Sequence, residues 1–195
     1  MTTPLTATSS AAPSPASGLS RWRIDAAHST AQFKIKHMMI ANVKGEFSGI
    51  SGELLYDAEH PERSRVEAAI DAATLSTREP QRDAHLKSPD FFDVERFPQL
   101  TFRSTRVATT APGRLEVEGE LSLHGTSRPV RFTVEGPSAP AQDPWGGMRM
   151  GLEATTRINR KDFGLTWNAA LEAGGVLVGD EAAITLDVEF VRAEG

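Results

Sequence analysis

Short runs of alternating apolar and polar residues, separated by turn residues, dominate the chain from Trp22 onward. In residues 115–123, for example, Leu115, Val117, Leu121 and Leu123 alternate with glutamates and Ser122. Because successive side chains of a strand point to opposite faces, this period of two predicts strands with one buried face. Comparable runs recur at residues 29–37, 43–48, 66–73, 130–135 and 184–190. Such strands indicate an all-β protein with an antiparallel sheet, and about eight of them predict a closed barrel or a sandwich.

One segment, Pro80–Lys87, departs from this alternation and predicts a short helix. Proline suits the first helical position, where its missing N–H costs nothing. Ser76 followed by Glu79 could instead form a capping box, which would start the helix earlier. Ser88 is placed to cap a second helical start, with Phe91 and its neighbour as an apolar plug. The predicted architecture is therefore an antiparallel barrel with one helical insertion.

The N-terminal residues differ in composition from the rest of the chain. Sixteen of the first twenty are Thr, Ser, Ala or Pro, and none is charged. Such a segment cannot bury enough surface to offset its ordering entropy. We predict a disordered tail at residues 1–21 and one barrel domain at residues 22–195. The segment lacks the basic start and apolar run of a secretion signal, so the expected location is the cytoplasm.

Charge and composition exclude several classes of function. The 195 residues carry a formal charge of −5, which argues against a nucleic-acid-binding surface, and they include no cysteine, so cysteine-ligated metals and disulfides are absent. No apolar stretch approaches the roughly 20 residues of a membrane-spanning helix. The five histidines show no pair at the spacing of a helical zinc site, and the chain contains no nucleophile-elbow or phosphate-loop motif. Neither a resident metal nor a catalytic site is therefore predicted.

Six stretches, taken together and in order, closely resemble the YceI-like family of lipocalin-like, polyisoprenoid-binding barrel proteins. The longest is TREPQRDAHLKSPDFFD at 77–93, followed by FP at 97–98 and TF at 101–102. The others are DAAHS at 25–29 with Phe33 and His37, VKGEF at 43–47, GELSLHGT at 119–126, INRKDFG at 158–164 and VGD at 178–180. The resemblance runs from about Trp22 to the C-terminus. It implies an eight-stranded barrel that encloses a long isoprenoid chain; many members are periplasmic.

The inward positions of the predicted strands suit such a cavity. They mix large side chains with small ones, namely Ala31, Gly45, Ala68, Gly119 and Ala154. Small residues facing phenylalanine rings can leave an apolar channel, although big-small interdigitation of a solid core gives the same pattern. The residues predicted to line the cavity are Phe33, Ile35, His37, Phe47, Ile70, Phe102, Leu121, Phe132, Trp167 and Ile184.

A polar head group would need donors at the mouth of the barrel. Arg82 and His85 share one face of the predicted helix, whose N-terminus favours an anion. Arg160 and Lys161 form a second pair of head-group candidates. Structural roles compete at each position, because Arg82 could cap or bridge strands and Arg160 could pair with Asp162 or another carboxylate.

The expected function is to bind, and to carry or sequester, a long-chain isoprenoid lipid without catalysis. Polyprenyl phosphates and isoprenoid quinones are the ligand classes considered, and no other cofactor is expected. Two alternatives stay open: a hydrolase or isomerase that acts on a lipid-like substrate in the same cavity, and a stress-response interaction module. The pattern permits a homodimer without requiring one.

Overall fold

A computed structural model describes residues 18–172 and 174–193 of the chain. The described residues form one α-helix, α1 (Pro80–Lys87), and eleven strands. Four 3₁₀ turns lie at Ala26–His28, Pro61–Arg63, Ala72–Thr74 and Arg160–Phe163. The strands are β1 (Leu19–Ile24), β2 (Thr30–His37), β3 (Ala41–Phe47), β4 (Ile50–Asp57), β5 (Arg65–Asp71), β6 (Gln99–Ala111), β7 (Arg114–Leu123), β8 (Thr126–Glu135), β9 (Ala141–Gln142), β10 (Met148–Asn159) and β11 (Val178–Arg192).

The strands close into an antiparallel barrel, which confirms the predicted fold class. Pairing runs from β1 through β4, β5, β6, β7, β8 and β10 to β11, and β11 returns to β1. A turn at Ala26–His28 carries the chain from β1 into β2, and both strands pair with β11. Likewise β3 pairs with β2 and β4 pairs with β1. The barrel therefore has eight positions. β1 and β2 together occupy the position next to β11, and β3 and β4 together occupy the following one.

Alternation fixes which side chains face the interior. In β7 every second residue from Leu115 to Leu123 is buried, whereas the residues between them are partly or fully exposed. Gly119 occupies one of the inward positions because the ring of Phe102 covers it. A Cβ atom on Gly119 would lie 2.4 Å from both Phe102 Cζ and the backbone oxygen of Arg103, so a larger residue would displace the ring and the neighbouring strand.

The helical insertion lies between β5 and β6, as predicted, but its cap differs from the capping-box alternative. α1 begins at Pro80, and the Glu79 carboxylate accepts hydrogen bonds from Gln81 N (3.2 Å) and Arg82 N (2.6 Å). The second helical start predicted at Ser88 is wrong: residues 89–92 and 94–96 form turns. Ser88 Oγ does accept from Asp90 N (3.3 Å) as well as donating to His85 O, but the turn does not continue as a helix because Asp93 has a φ of +46°, in the left-handed region.

The predicted boundary of the N-terminal tail is also wrong in part. Residues 1–17 lie outside the described residues, whereas Leu19–Arg21 belong to β1 and pair with residues 55–57 of β4. Burial did not signal this strand, since Leu19 is 42% exposed. Cross-strand bonds hold it instead, including one from Ser20 Oγ to Tyr56 O (3.1 Å).

Candidate functional site

An apolar cavity of about 580 Å³ runs through the interior of the barrel. This volume falls in the usual range of small-molecule sites. On β10 alone the lining extends from Leu152 to Ile158, about 20 Å at the rise of a strand. All ten side chains that the sequence predicted for the lining are found in it: Phe33, Ile35, His37, Phe47, Ile70, Phe102, Leu121, Phe132, Trp167 and Ile184.

Aromatic rings shape the wall of the cavity. Phe102 and Phe132 meet edge to face at 5.1 Å between ring centres, and Phe47 meets Phe92 in the same way at 5.6 Å. Phe33 lies against Phe47 at 6.0 Å. Edge-to-face pairs are favoured by the charge distribution of the rings. These contacts hold the rings in the wall rather than across the empty space.

The small inward residues divide into two groups. Gly45 and Gly119 lie under the rings of Phe33 and Phe102, so they belong to an interdigitated wall. Alanines 31, 68 and 154 line the cavity itself. The two explanations of the small inward residues therefore apply to different positions: interdigitation to the glycines, and an apolar channel to the alanines.

The predicted lining omits the end of the barrel away from α1. Tyr56, Val188 and Phe190 line the cavity there together with Pro137. The alternation of β11 could have identified Val188 and Phe190. Leu177 also lines the cavity, but it precedes β11 in an irregular segment and carried no sequence signal.

Helix α1 and the segment before β11 form the polar end of the cavity, which we call the helix-side mouth. It is lined on the helix side by Glu79, Gln81, Arg82 and His85, and Trp167 lines it next to His85. The His85 ring lies edge to face against Trp167 at 4.7 Å and against Phe91 at 5.2 Å. His85 Nε2 is 2.9 Å from Asp90 Oδ2, so a carboxylate orients the imidazole.

Arg82 is the head-group candidate that the geometry favours. Its Nε donates to Thr77 Oγ1 (2.7 Å) and its Nη2 to Thr77 O (3.0 Å), which holds the guanidinium at the mouth. Within residues 18–172 and 174–193, Nη1 has no hydrogen-bond partner and no carboxylate pairs with Arg82. One edge of the cation is thus anchored to Thr77, and Nη1 remains for a ligand of the cavity that Arg82 lines.

Arg160 takes the structural role left open for it rather than that of a head-group donor, and its carboxylate partner is Asp180 at 3.6 Å. It lines the cavity and is 3% exposed, but its donors face backbone carbonyls: Nε reaches Gly179 O (2.8 Å) and Nη1 reaches Leu165 O (2.5 Å) and Trp167 O (2.9 Å). Burial lowers the pKa of Arg160, and Asp180 opposes that effect. With its donors committed, Arg160 positions the segment that carries Trp167 and is not a head-group donor.

Lys161 and the N-terminus of α1 also depart from the prediction. Lys161 lies outside the cavity lining and pairs with Asp180 at 2.9 Å on the surface. At the helix N-terminus, the Glu79 carboxylate already accepts from the first N–H groups and supplies the negative charge that the helix dipole favours. A ligand anion would therefore meet repulsion there.

Three side chains at the surface have the spacing of metal ligands: Asp25, His28 and Glu189. The guanidinium of Arg149 already lies between the two carboxylates, with Nη1 2.6 Å from Asp25 Oδ2 and 2.5 Å from Glu189 Oε1. Its bond to Asp25, with a second from His28, lowers the pKa of Asp25 to about 2. The cluster is an ion-pair network that ties β10 to β11 and to the turn after β1.

Asp83 and His85, two residues apart on α1, do not form an acid–base pair. Asp83 Oδ1 accepts from Thr77 N (2.8 Å) and Thr77 Oγ1 (2.5 Å), whereas His85 bonds to Asp90.

No α-helix in the described part of the chain has the length and apolarity needed to cross a bilayer.

Comparison with known proteins identifies relatives of both sequence and fold. The YceI-like domain matches residues 22–190. A UPF0312 protein of Vibrio cholerae is 40% identical over 139 residues, covering 71% of this chain and 73% of the relative. A UPF0312 protein of Ectopseudomonas mendocina is 37% identical over 143 residues, covering 71% and 72%.

Solved structures give the same result for the fold. A Campylobacter jejuni YceI protein superposes with a TM-score of 0.69 at 27% identity, covering 83% of this chain and 91% of its own. Burkholderia cenocepacia BcnA matches with a TM-score of 0.72 at 22% identity, covering 85% and 98%. A polyisoprenoid binding domain from Saccharophagus degradans, implicated in plant cell wall breakdown, matches with 0.64 at 15%, covering 88% and 98%. The chain belongs to the YceI-like family.

Proposed function

We propose that the protein binds a long-chain isoprenoid lipid in the barrel cavity and carries or sequesters it without catalysis. The observation that carries this proposal is the cavity: a long interior space whose middle is lined by apolar side chains such as Phe102, Phe132 and Ile184. The description of the Saccharophagus degradans relative as a polyisoprenoid binding domain agrees with it.

The energetics favour a long apolar chain over a small polar ligand. Each buried CH₂ contributes roughly 0.8 kcal/mol, so a prenyl chain of several units gains more than about 15 kcal/mol before costs. Loss of translational freedom and ordering of the chain remove an estimated 4–15 kcal/mol or more of that gain. Affinity can therefore come from the tail alone, while the head group decides selectivity.

The helix-side mouth suits a head group with acceptor oxygens. Arg82 presents Nη1 there, and His85 lies beside it on α1. A phosphate or a quinone carbonyl could accept a hydrogen bond from Arg82 Nη1, whereas His85 Nε2 is already bonded to Asp90. Polyprenyl phosphates and isoprenoid quinones thus share the chemistry that this end of the cavity would recognise.

Native mass spectrometry of the protein purified from cells tests the proposal. We expect a co-purifying apolar mass that is released unchanged on denaturation. Phe47→Arg, which places a charge among Phe33 and Phe92, should abolish this mass. Ser48→Arg is the matched control, because the neighbouring residue is exposed and should keep the lipid.

Three results would contradict the proposal. One is a folded wild-type protein that never retains or takes up a polyprenyl phosphate or a quinone. Another is a folded Phe47→Arg protein, judged by circular dichroism, that holds the same lipid. Chemical turnover of the bound lipid would instead support an enzyme.

A further inference from the structure

The tip of the β2–β3 hairpin exposes a run of large apolar side chains. Met38, Met39 and Ile40 are 39%, 59% and 81% exposed. Val176, in the neighbouring segment before β11, is 39% exposed. We call these four residues the apolar tip. Most surface-exposed hydrophobic residues occur singly, so a contiguous group indicates an interaction site.

The backbone of the hairpin tip makes this choice of residues more unusual. Met38 and Met39 have φ values of +50° and +60°, in the left-handed region, and Ile40 N donates to His37 O (3.1 Å). Glycine and asparagine are the residues that this conformation favours. Two methionines there are unfavourable both for the backbone and for hydration. Folding of the hairpin therefore does not explain them.

Lysines lie behind the apolar tip, on the two strands of the same hairpin. The chain has five lysines, and three of them, Lys34, Lys36 and Lys44, lie on β2 and β3 with exposed side chains. None of the three has an ion-pair partner within the described residues. At the rise of a strand they stand about 5–15 Å behind the tip. Glu46 on β3 is the one acidic residue of the two strands, so in a chain of net charge −5 the hairpin carries an excess of positive charge.

Carboxylates on the adjacent strand β11 do not cancel this charge. Asp180 is paired with Lys161 at 2.9 Å and lies 3.6 Å from Arg160. Glu181 is paired with Arg157 at 2.5 Å. The hairpin lysines are therefore available to anionic groups outside the protein.

The apolar tip adjoins the helix-side mouth of the cavity. Met38 N donates to Leu177 O (2.8 Å), and Leu177 lines the cavity. His37 and Val43, at the ends of β2 and β3 next to the tip, line it as well. A surface that accepted the tip would thus face the mouth.

We propose that the apolar tip inserts into the surface of a bilayer that carries anionic head groups, with the three lysines contacting those head groups. Interfacial segments bind membranes by this combination of shallow apolar insertion and attraction of basic residues to anionic lipid. This inference goes beyond the proposed function, since docking requires no isoprenoid. It would let an apolar chain move between bilayer and cavity with little exposure to water.

Vesicle flotation of the full chain tests the inference. The probes are vesicles of phosphatidylcholine with phosphatidylglycerol, and vesicles of phosphatidylcholine alone, both free of isoprenoid. Wild-type protein should float with the anionic vesicles and much less with the neutral ones. The double variant Met39→Asn/Ile40→Ser should lose at least about tenfold in partitioning, and asparagine suits the left-handed backbone at position 39. The triple variant Lys34→Gln/Lys36→Gln/Lys44→Gln should lose about fivefold per lysine, and only on anionic vesicles.

Trp145→Ser is the matched control. Trp145 is 87% exposed but precedes β10, at the end of the barrel opposite the helix-side mouth, so its loss should leave partitioning unchanged. Equal loss in this control and in the tip variant would indicate non-specific adhesion and overturn the proposal. No binding of wild type to either vesicle would also overturn it and would favour a protein partner for the tip. Native mass spectrometry of the tip variant distinguishes this proposal from the proposed function. If the variant loses vesicle binding but still carries the co-purifying lipid, the apolar tip acts in docking and not in lipid binding by the cavity.

Discussion

Replacing a small residue of the cavity wall by a larger one tests directly whether the interior of the barrel is empty. Ala154 on β10 is 5% exposed, lines the cavity and pairs across the sheet with Val134 and Leu186. Ala154→Leu adds three carbon atoms at this point. In an empty cavity these atoms occupy space that a ligand would use, whereas in a filled core they collide with their neighbours.

The two cases differ in which quantity changes: ligand affinity in a hollow barrel and the free energy of unfolding in a filled one. If the added carbons displace about three CH₂ groups of a ligand, the lost burial is about 2.4 kcal/mol at roughly 0.8 kcal/mol each, or about a fiftyfold weaker affinity. The free energy of unfolding of the ligand-free protein should then change little. Overpacking of a solid core would instead destabilise the protein by typically 1–3 kcal/mol.

Two measurements on the delipidated protein distinguish these cases: urea unfolding and titration with a polyprenyl phosphate. Ala183→Leu is the control, because Ala183 lies on the outer face of β11, beside the inward Ala182, and is not in the cavity lining. It should change neither quantity appreciably. Unaltered affinity in Ala154→Leu, together with destabilisation typical of overpacking, would refute the hollow interior and the function proposed from it.

Three further predictions concern charged residues. Arg82→Gln should weaken binding of a polyprenyl phosphate about tenfold or more but leave the uncharged polyprenol unaffected, since hydrogen bonds to charged groups contribute about 1.5–3 kcal/mol; competition between the two ligands measures this. Arg160→Met should lower the free energy of unfolding by about 3 kcal/mol or more in urea, because it leaves buried carbonyls unpaired. Asp25 has a pKa of about 2 against an ordinary 3.8, so its stabilisation is complete above about pH 4 and is lost as the pH falls through 2. Arg149→Met removes the bond to Asp25 together with those to Asp143 and Glu189, so it should lower Tm most above pH 4, and the difference from wild type should shrink as the pH falls toward 2.

Each of these predictions has an outcome that would contradict it. Equal loss of both ligands in Arg82→Gln would give that residue a structural role only. Wild-type stability in Arg160→Met would show that the carbonyls find other partners. A Tm difference that persists unchanged to pH 2 would remove Asp25 as the origin of the Arg149 effect.

The fold and the middle of the cavity could be predicted because both depend on local alternation. Once 115–123 is recognised as a strand, the period of two assigns Leu121 to the interior whatever its neighbours are. The same holds for Phe33 on β2 and Ile184 on β11. Alternation assigns each side chain to one face of the sheet. Because the sheet closes into a barrel, the apolar face is the one that lines the cavity.

The ends of the cavity could not be predicted in this way, because contacts distant in sequence determine them. Arg160 is held by the carbonyl of Gly179, nineteen positions away, and nothing local to INRKDFG indicates that pairing. The Glu79 carboxylate occupies the first N–H groups of α1 through a cap that competes in sequence with Ser76. Leu19 to Arg21 form a strand through bonds to β4 rather than through burial.

Small residues in the wall show how a single sequence signal can conceal two physical roles. A Cβ atom on Gly45 would lie 2.3 Å from Phe33 Cζ, so replacement of this glycine would displace a ring and strain the wall. Ala154 faces the empty space, so its replacement by a larger residue would narrow the cavity instead. Both are small inward residues in the sequence, yet the first supports the barrel and the second sets the room left for a ligand. Changes in ligand fit should therefore follow the wall alanines, whereas changes in stability should follow the ring-covered glycines.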